Sequence, residues 1–109
     1  MGEIMKINSN DLEAVFQDES WHVIDVREPF ELEDGWIEGS ENHPFSTFSM
    51  NGLEPQDGHK WVIQCLKGGR ATKIAEYLVA NDFPGTVYVL TGGIEAWKAE
   101  KKPILMDHS

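Results

Sequence analysis

Only one cysteine, Cys65, occurs in 109 residues. With no second thiol there is no internal disulfide, no Cys-x-x-Cys exchange pair and no cysteine-based zinc site. Long apolar runs are missing as well. No segment approaches the ~20 residues that cross a bilayer, and "MGEIMKINSN" lacks the apolar stretch of a signal peptide. Gly2 alone suggests myristoylation, but Lys6 stands where that motif requires Ser or Thr. Basic residues are scarce, 9 against 19 acidic ones for a net charge of −10. Bulk charge therefore argues against binding phosphate backbones, and neither nucleic acid nor membrane is an expected partner. His22, His43, His59 and His108 show no ligand spacing, so no metal and no cofactor are expected. Nor is there an internal repeat, a low-complexity segment or a linker. A reducing, cytoplasmic setting suits a chain of this kind.

What the chain does have is the composition of one globular domain, 40% hydrophobic and 26% charged. Residues 1–109 are expected to fold alone, because at this size roughly two-thirds of the unfolded surface can be buried. Asn8 is placed to cap a helix reaching about residue 17, with Leu12, Val15 and Phe16 as its apolar stripe. "HVIDV", residues 22–26, predicts a buried strand. Arg27-Glu28-Pro29 leads into a short helical turn, with proline at its first position and Glu28 and Glu31 favouring the positive end of the dipole; Gly35 stops it. Residues 40–44 suggest a short strand, and 45–58 a loop with one helical turn at most. "KWVIQC", residues 60–65, is a strand. Beyond it Ala71, Ile74, Ala75, Leu78 and Val79 recur at helical spacing, and Pro84-Gly85 closes that unit. "TVYVL", residues 86–90, is a strand, "TGG" a turn, and "IEAWKAEKK" a short helix before Pro103. Strands alternating with helices imply an α/β fold whose parallel sheet is covered on both faces.

In such sheets, sites form beyond the carboxyl ends of strands, where loops enter helix N-termini. "CLKGGRA", residues 65–71, lies there. Gly68 and Gly69 allow a tight turn that aims backbone N–H groups inward, and the next helix adds unpaired donors and positive dipole. With Lys67 and Arg70 these groups favour a thiolate and suit an anionic substrate; Lys73 lies just beyond. A lone cysteine after a strand is most often a small core residue, and a double glycine a plain turn. A structural turn, however, requires no two cations and two glycines directly behind the sulfur.

The loop Cys65-Leu66-Lys67-Gly68-Gly69-Arg70 resembles the Cys-x-x-Gly-x-Arg active-site loop of the rhodanese-like sulfurtransferases in single-domain form. "IDVREPFELEDGWIEGSENHP" (24–44) is similar to that family's Asp-Val-Arg-Glu block running to Gly-x-x-Asn-x-Pro, and "LTGGIEAW" (90–97) to its Gly-Gly-x-x-x-Trp block. The resemblance covers nearly the whole chain and implies a single rhodanese-like domain built on a central parallel sheet of about five strands, with helices on both faces. It further implies that Cys65 takes sulfur from a small-molecule donor such as thiosulfate. Cys65 holds that sulfur as a persulfide and passes it to a thiophilic acceptor, cyanide or a thiol. A protein donor or acceptor is the alternative, in a sulfur carrier or protein-binding module with a protein partner and little thiosulfate turnover.

By the same resemblance, the amides from Leu66 to Arg70 hold the persulfide and the donor's oxygens, and Lys67 faces the sulfonate end. Asp25 and Arg27 support the site as a structural ion pair, Gly92 and Gly93 permit close approach to the loop, and Trp97 is a core aromatic. The chain departs from the family at Trp36, where His is common, and at Ser40, where Ala is common. Both departures bear on access to the pocket. Cysteine phosphatases that share this fold carry Cys-x5-Arg, and the shorter count here favours sulfur over phosphate or arsenate.

Overall fold

The computed structural model describes residues 3–106; Gly2 and His108, considered above, lie outside them. Five strands form one sheet: β1 (Ile4–Ile7), β2 (Trp21–Asp25), β3 (Glu41–Asn42), β4 (Lys60–Gln64) and β5 (Thr86–Leu90). Their order is β1-β5-β4-β2-β3, and every pairing is parallel. Three α-helices accompany them: α1 (Ser9–Val15) between β1 and β2, α2 (Gly69–Ala80) between β4 and β5, and α3 (Gly93–Ala99) after β5.

The central strands bury both faces, which is why they read as continuous apolar runs rather than alternating ones. On one face Ile24, Ile63, Val87 and Val89 meet Ala71, Ile74, Ala75 and Leu78 of α2. On the other, Val23, Val62 and Leu90 meet Leu12 of α1 and Ile94 and Trp97 of α3. Helices thus cover both faces, as expected. Trp97 is fully buried, and its indole N–H donates to the Pro103 carbonyl at 2.7 Å.

Local chemistry accounts for most boundaries. The Asn8 side chain caps α1 by accepting from the Asp11 N–H at 2.8 Å. The helix ends at Val15, two residues short of the expected limit, although Phe16 N–H still donates to Leu12. Pro29–Asp34 is a 3₁₀ turn ended by Gly35 at φ +107°. The expected strand at 40–44 contracts to Glu41–Asn42, where it pairs with Ile24 and Asp25. Residues 45–58 hold two short 3₁₀ turns, Phe45–Thr47 and Met50–Gly52, rather than one. The last helix starts one residue earlier than "IEAWKAEKK" and stops at Ala99, two residues before Lys101 turns left-handed at φ +59°.

Strand β1 was not foreseen. It is an edge strand paired only with β5, and Met5 and Lys6 are exposed, so it carries little of the apolar signature of its neighbours. Trp36 forms an antiparallel bridge with Leu105, pinning the last described residues across the 29–34 turn. Among the described residues, no helix is long and apolar enough to cross a membrane.

Candidate active site

Cys65 directly follows β4 and points into the α2 face, where it is 2% exposed. The chain then folds around the sulfur. Sγ accepts from the Gly68 N–H at 3.1 Å and from the Ala71 N–H at 3.4 Å. Gly68 adopts φ +120°, a conformation side chains rarely take, and this is what aims its N–H inward. The Ala71 amide belongs to the first turn of α2, whose N–H groups lack partners within the helix. The Cys65 sulfur therefore sits against two backbone donors at the start of α2.

A second helix start holds the loop from behind. Ile94 N–H donates to the Cys65 carbonyl at 2.9 Å, and Glu95 N–H to the Leu66 carbonyl at 3.0 Å. This approach needs a bare residue at 93. A Cβ on Gly93 would lie 2.5 Å from the Leu66 oxygen and 2.6 Å from the Cys65 oxygen. Gly92 has a different constraint: its left-handed φ of +76° starts α3, and a Cβ there would meet the Ala96 Cβ at 2.7 Å.

The two arginines of the expected site both make internal ion pairs. Arg70 forms a two-pronged bridge with Glu31, Nη1–Oε1 2.7 Å and Nη2–Oε2 2.9 Å. That hydrogen bonding holds the Glu31 carboxyl down at about 2, and Glu31 in turn raises the Arg70 guanidinium above its ordinary value. Arg27 and Asp25 are buried to 1% and 0% exposure, with Nη2–Oδ2 at 2.7 Å. Arg27 also donates to the Glu31 carbonyl at 3.1 Å and the Gly35 carbonyl at 2.9 Å. Asn42 donates to the carbonyls of both Asp25 and Arg27 at 2.9 Å. A continuous brace thus runs from β2 through the 29–34 turn to Arg70 in the loop.

Leu66, Lys67 and Gly69 are exposed, and Lys67 makes no ion pair among the described residues. Glu31 is the site residue that sequence reasoning missed. Its position after Pro29 was read only as a helix-start preference, and Glu28 N–H does donate to its Oε1 at 2.9 Å. Trp36 and Ser40 line a 170 Å³ cavity with Asp25, Leu32 and Asn42. His22 and His59 hydrogen-bond to each other at 2.8 Å, and His22 lies near the amino end of β2, away from Cys65. Burial and the neighbouring His59 lower the His22 pKa.

Comparison with known proteins fits this geometry. The family model for the rhodanese-like domain matches residues 8–100, and the chain belongs to that family. It is 32% identical over 80 residues to thiosulfate sulfurtransferase GlpE of Stutzerimonas stutzeri, covering 70% of this chain and 69% of that protein. It is 31% identical over 107 residues to the rhodanese-like/PpiC domain-containing protein 12 of Arabidopsis thaliana, 93% of this chain but only 34% of that protein's length. Among solved structures, a rhodanese-related protein from Thermoplasma volcanium superposes with a TM-score of 0.82 at 30% identity, covering 94% of this chain and 99% of the other.

Proposed function

We propose that residues 1–109 form a sulfurtransferase domain that moves a sulfane sulfur from thiosulfate or a related donor, through a persulfide on Cys65, to cyanide or a thiol. The observation that carries this reading is the Cys65 sulfur enclosed by amide donors at the mouth of a parallel sheet. The thiolate attacks the outer sulfur of thiosulfate. A new S–S bond forms, the old one breaks, and sulfite leaves with the bonding pair. Cyanide then attacks the outer sulfur of the persulfide, thiocyanate departs, and the thiolate returns. This is covalent catalysis in two half-reactions.

In this scheme the amides from Leu66 to Arg70 line the space for the terminal sulfur and the donor oxygens, and Lys67 supplies a cation. The Arg70 side chain, engaged by Glu31, acts by holding the loop rather than by touching the donor. Asp25, Arg27, Gly92 and Gly93 support that loop. The single cysteine suits a cytoplasmic location.

The test is an intact mass before and after thiosulfate, with Cys65→Ser alongside and thiocyanate assayed in the same samples. The expected result is a gain of about 32 Da, one sulfur on a thiolate nucleophile, absent in the variant and removed by cyanide. No added sulfur and no thiocyanate would sink the thiosulfate reading. One observation favours the alternative, a sulfur carrier serving a protein partner. Leu66 is exposed in the loop itself and Phe30 is exposed beside Glu31, apolar surface of a kind protein contacts use. Loading from a protein persulfide without thiosulfate turnover would establish it.

A further inference from the structure

A cleft of 310 Å³ runs beside the cysteine loop. Lys67, Gly68 and Gly69 line it from the loop, Ile4 and Lys6 from β1, and Val89 from β5. Among the described residues, no carboxylate lines this cleft. Lys6 and Lys67 enter no ion pair among the described residues. The cleft therefore joins an apolar floor to two uncompensated cations.

Gly69 adds an independent observation. Its backbone is helical, so no unusual φ demands glycine, and a Cβ there would meet nothing within 4 Å. Gly69 is the first residue of α2, where glycine costs less than in a helix interior, but nothing in its conformation favours glycine over alanine. Neither conformation nor packing accounts for the bare position; what it leaves is room along the cleft wall.

We propose that this cleft binds the organic part of an anionic sulfur compound, its apolar body on Ile4 and Val89 and its charge near Lys6 and Lys67. The inference rests on the sulfur-transfer reading and extends it from thiosulfate to organic anions. Gly68 links the cleft to the chemistry, since it lines the cleft and its N–H bonds the Cys65 sulfur. The same ligand chemistry suits either half-reaction. A thiosulfonate donor gives its outer sulfur to the Cys65 thiolate and leaves as the sulfinate with the bonding pair. A mercapto-carboxylate acceptor attacks the outer sulfur of the persulfide as its thiolate, becomes an organic persulfide and regenerates the Cys65 thiolate.

The first experiment uses benzenesulfonate, which has no transferable sulfur, titrated into the ¹⁵N-labelled chain and followed by NMR. Saturable shifts are expected at the amides of Lys6 and Lys67 to Gly69. Lys6→Gln should weaken that binding about tenfold, the loss of one charged contact. Gly69→Ala should also weaken it, with no fall in thermal stability. Steady-state kinetics then compare benzenethiosulfonate with thiosulfate as donors and 3-mercaptopropionate with cyanide as acceptors. In whichever half-reaction uses the cleft, Lys6→Gln should lower kcat/KM for the organic compound about tenfold more than for the small ion. Absence of saturable shifts, shifts confined elsewhere, or equal losses for organic and small substrates in both half-reactions would overturn the proposal. Saturable binding without transfer to any acceptor would leave the anion cleft standing and remove the sulfur-transfer reading. Transfer without binding would do the reverse.

Discussion

Gly93→Ala tests the contact that holds the cysteine loop against α3. The new methyl would sit 2.5 Å from the Leu66 oxygen and 2.6 Å from the Cys65 oxygen, on a backbone at φ +61°. The left-handed conformation alone costs roughly 1–2 kcal/mol for a side-chain-bearing residue. The clash is harder to relieve, because both oxygens are main chain and each accepts a hydrogen bond from α3. Moving them apart weakens two such bonds, at about 0.5–1.5 kcal/mol each. The total is about 2–5 kcal/mol, and for a domain near 100 residues each kcal/mol lowers Tm by roughly 4–8 °C. Gly58→Ala is the control, since its φ is +79° and a Cβ there meets nothing within 4 Å. It should lose only the backbone share. Thermal melts by circular dichroism give the difference, and persulfide loading at 20 °C reports the loop. If Gly93→Ala melts within about 1 kcal/mol of Gly58→Ala and loads sulfur normally, the close approach is not what fixes the loop.

Three further outcomes follow from the brace behind the loop. Glu31→Gln removes the charge facing Arg70 and should cost about 1–2 kcal/mol, the pair being bidentate but partly exposed. It should also slow persulfide loading relative to Glu33→Gln, an exposed neighbour; equal rates and equal urea midpoints would count against the tether. The Glu31 carboxyl is held at about 2, below its ordinary 4.5, so its contribution is complete above about 4.5 and is lost as pH falls toward 2. Urea midpoints between pH 6 and pH 2 should therefore fall more steeply for the native chain than for Glu31→Gln, and parallel curves would contradict this. Asp25→Asn leaves the Arg27 guanidinium buried beside a neutral partner, at a cost of roughly 3–5 kcal/mol. A loss under about 1 kcal/mol in urea unfolding would show that the pair is not a strut.

Legibility in the sequence follows burial. β2, β4 and β5 are flanked on both sides within the sheet and covered on both faces, so each carries adjacent apolar residues at its centre rather than a strict alternation. α2 presents one side to that sheet, and Ala71, Ile74, Ala75 and Leu78 carry its period unbroken. β1 was missed for the opposite reason. An edge strand needs one partner and one buried side, and Ile4–Ile7 offers a lysine where an inner strand would offer valine. In the site, Gly68 was legible because a loop that returns N–H groups to its own first residue needs a left-handed position. The partners of the side chains were not. Glu31 and Arg70 lie 39 residues apart and meet only because β2 and β4 are neighbours in the sheet.

That pairing changes how the loop's charge is understood. Read in sequence, Lys67 and Arg70 look like two cations of equal standing beside a nucleophile. In the fold the Arg70 guanidinium is committed to a carboxylate at both prongs, so the Glu31 charge offsets part of its field at Cys65. What remains beside Lys67 is the backbone: the amides of Gly68 and Ala71, pointing at the sulfur within 3.4 Å. In the proposed transfer, fixed dipoles of this kind need no reorganisation when charge moves from Sγ to the next sulfur and back. On the proposed reading the arginine is then an element of rigidity rather than a ligand. It holds the loop so that the amides keep their aim, and its effect on rate should appear through Glu31 as much as through Arg70 itself.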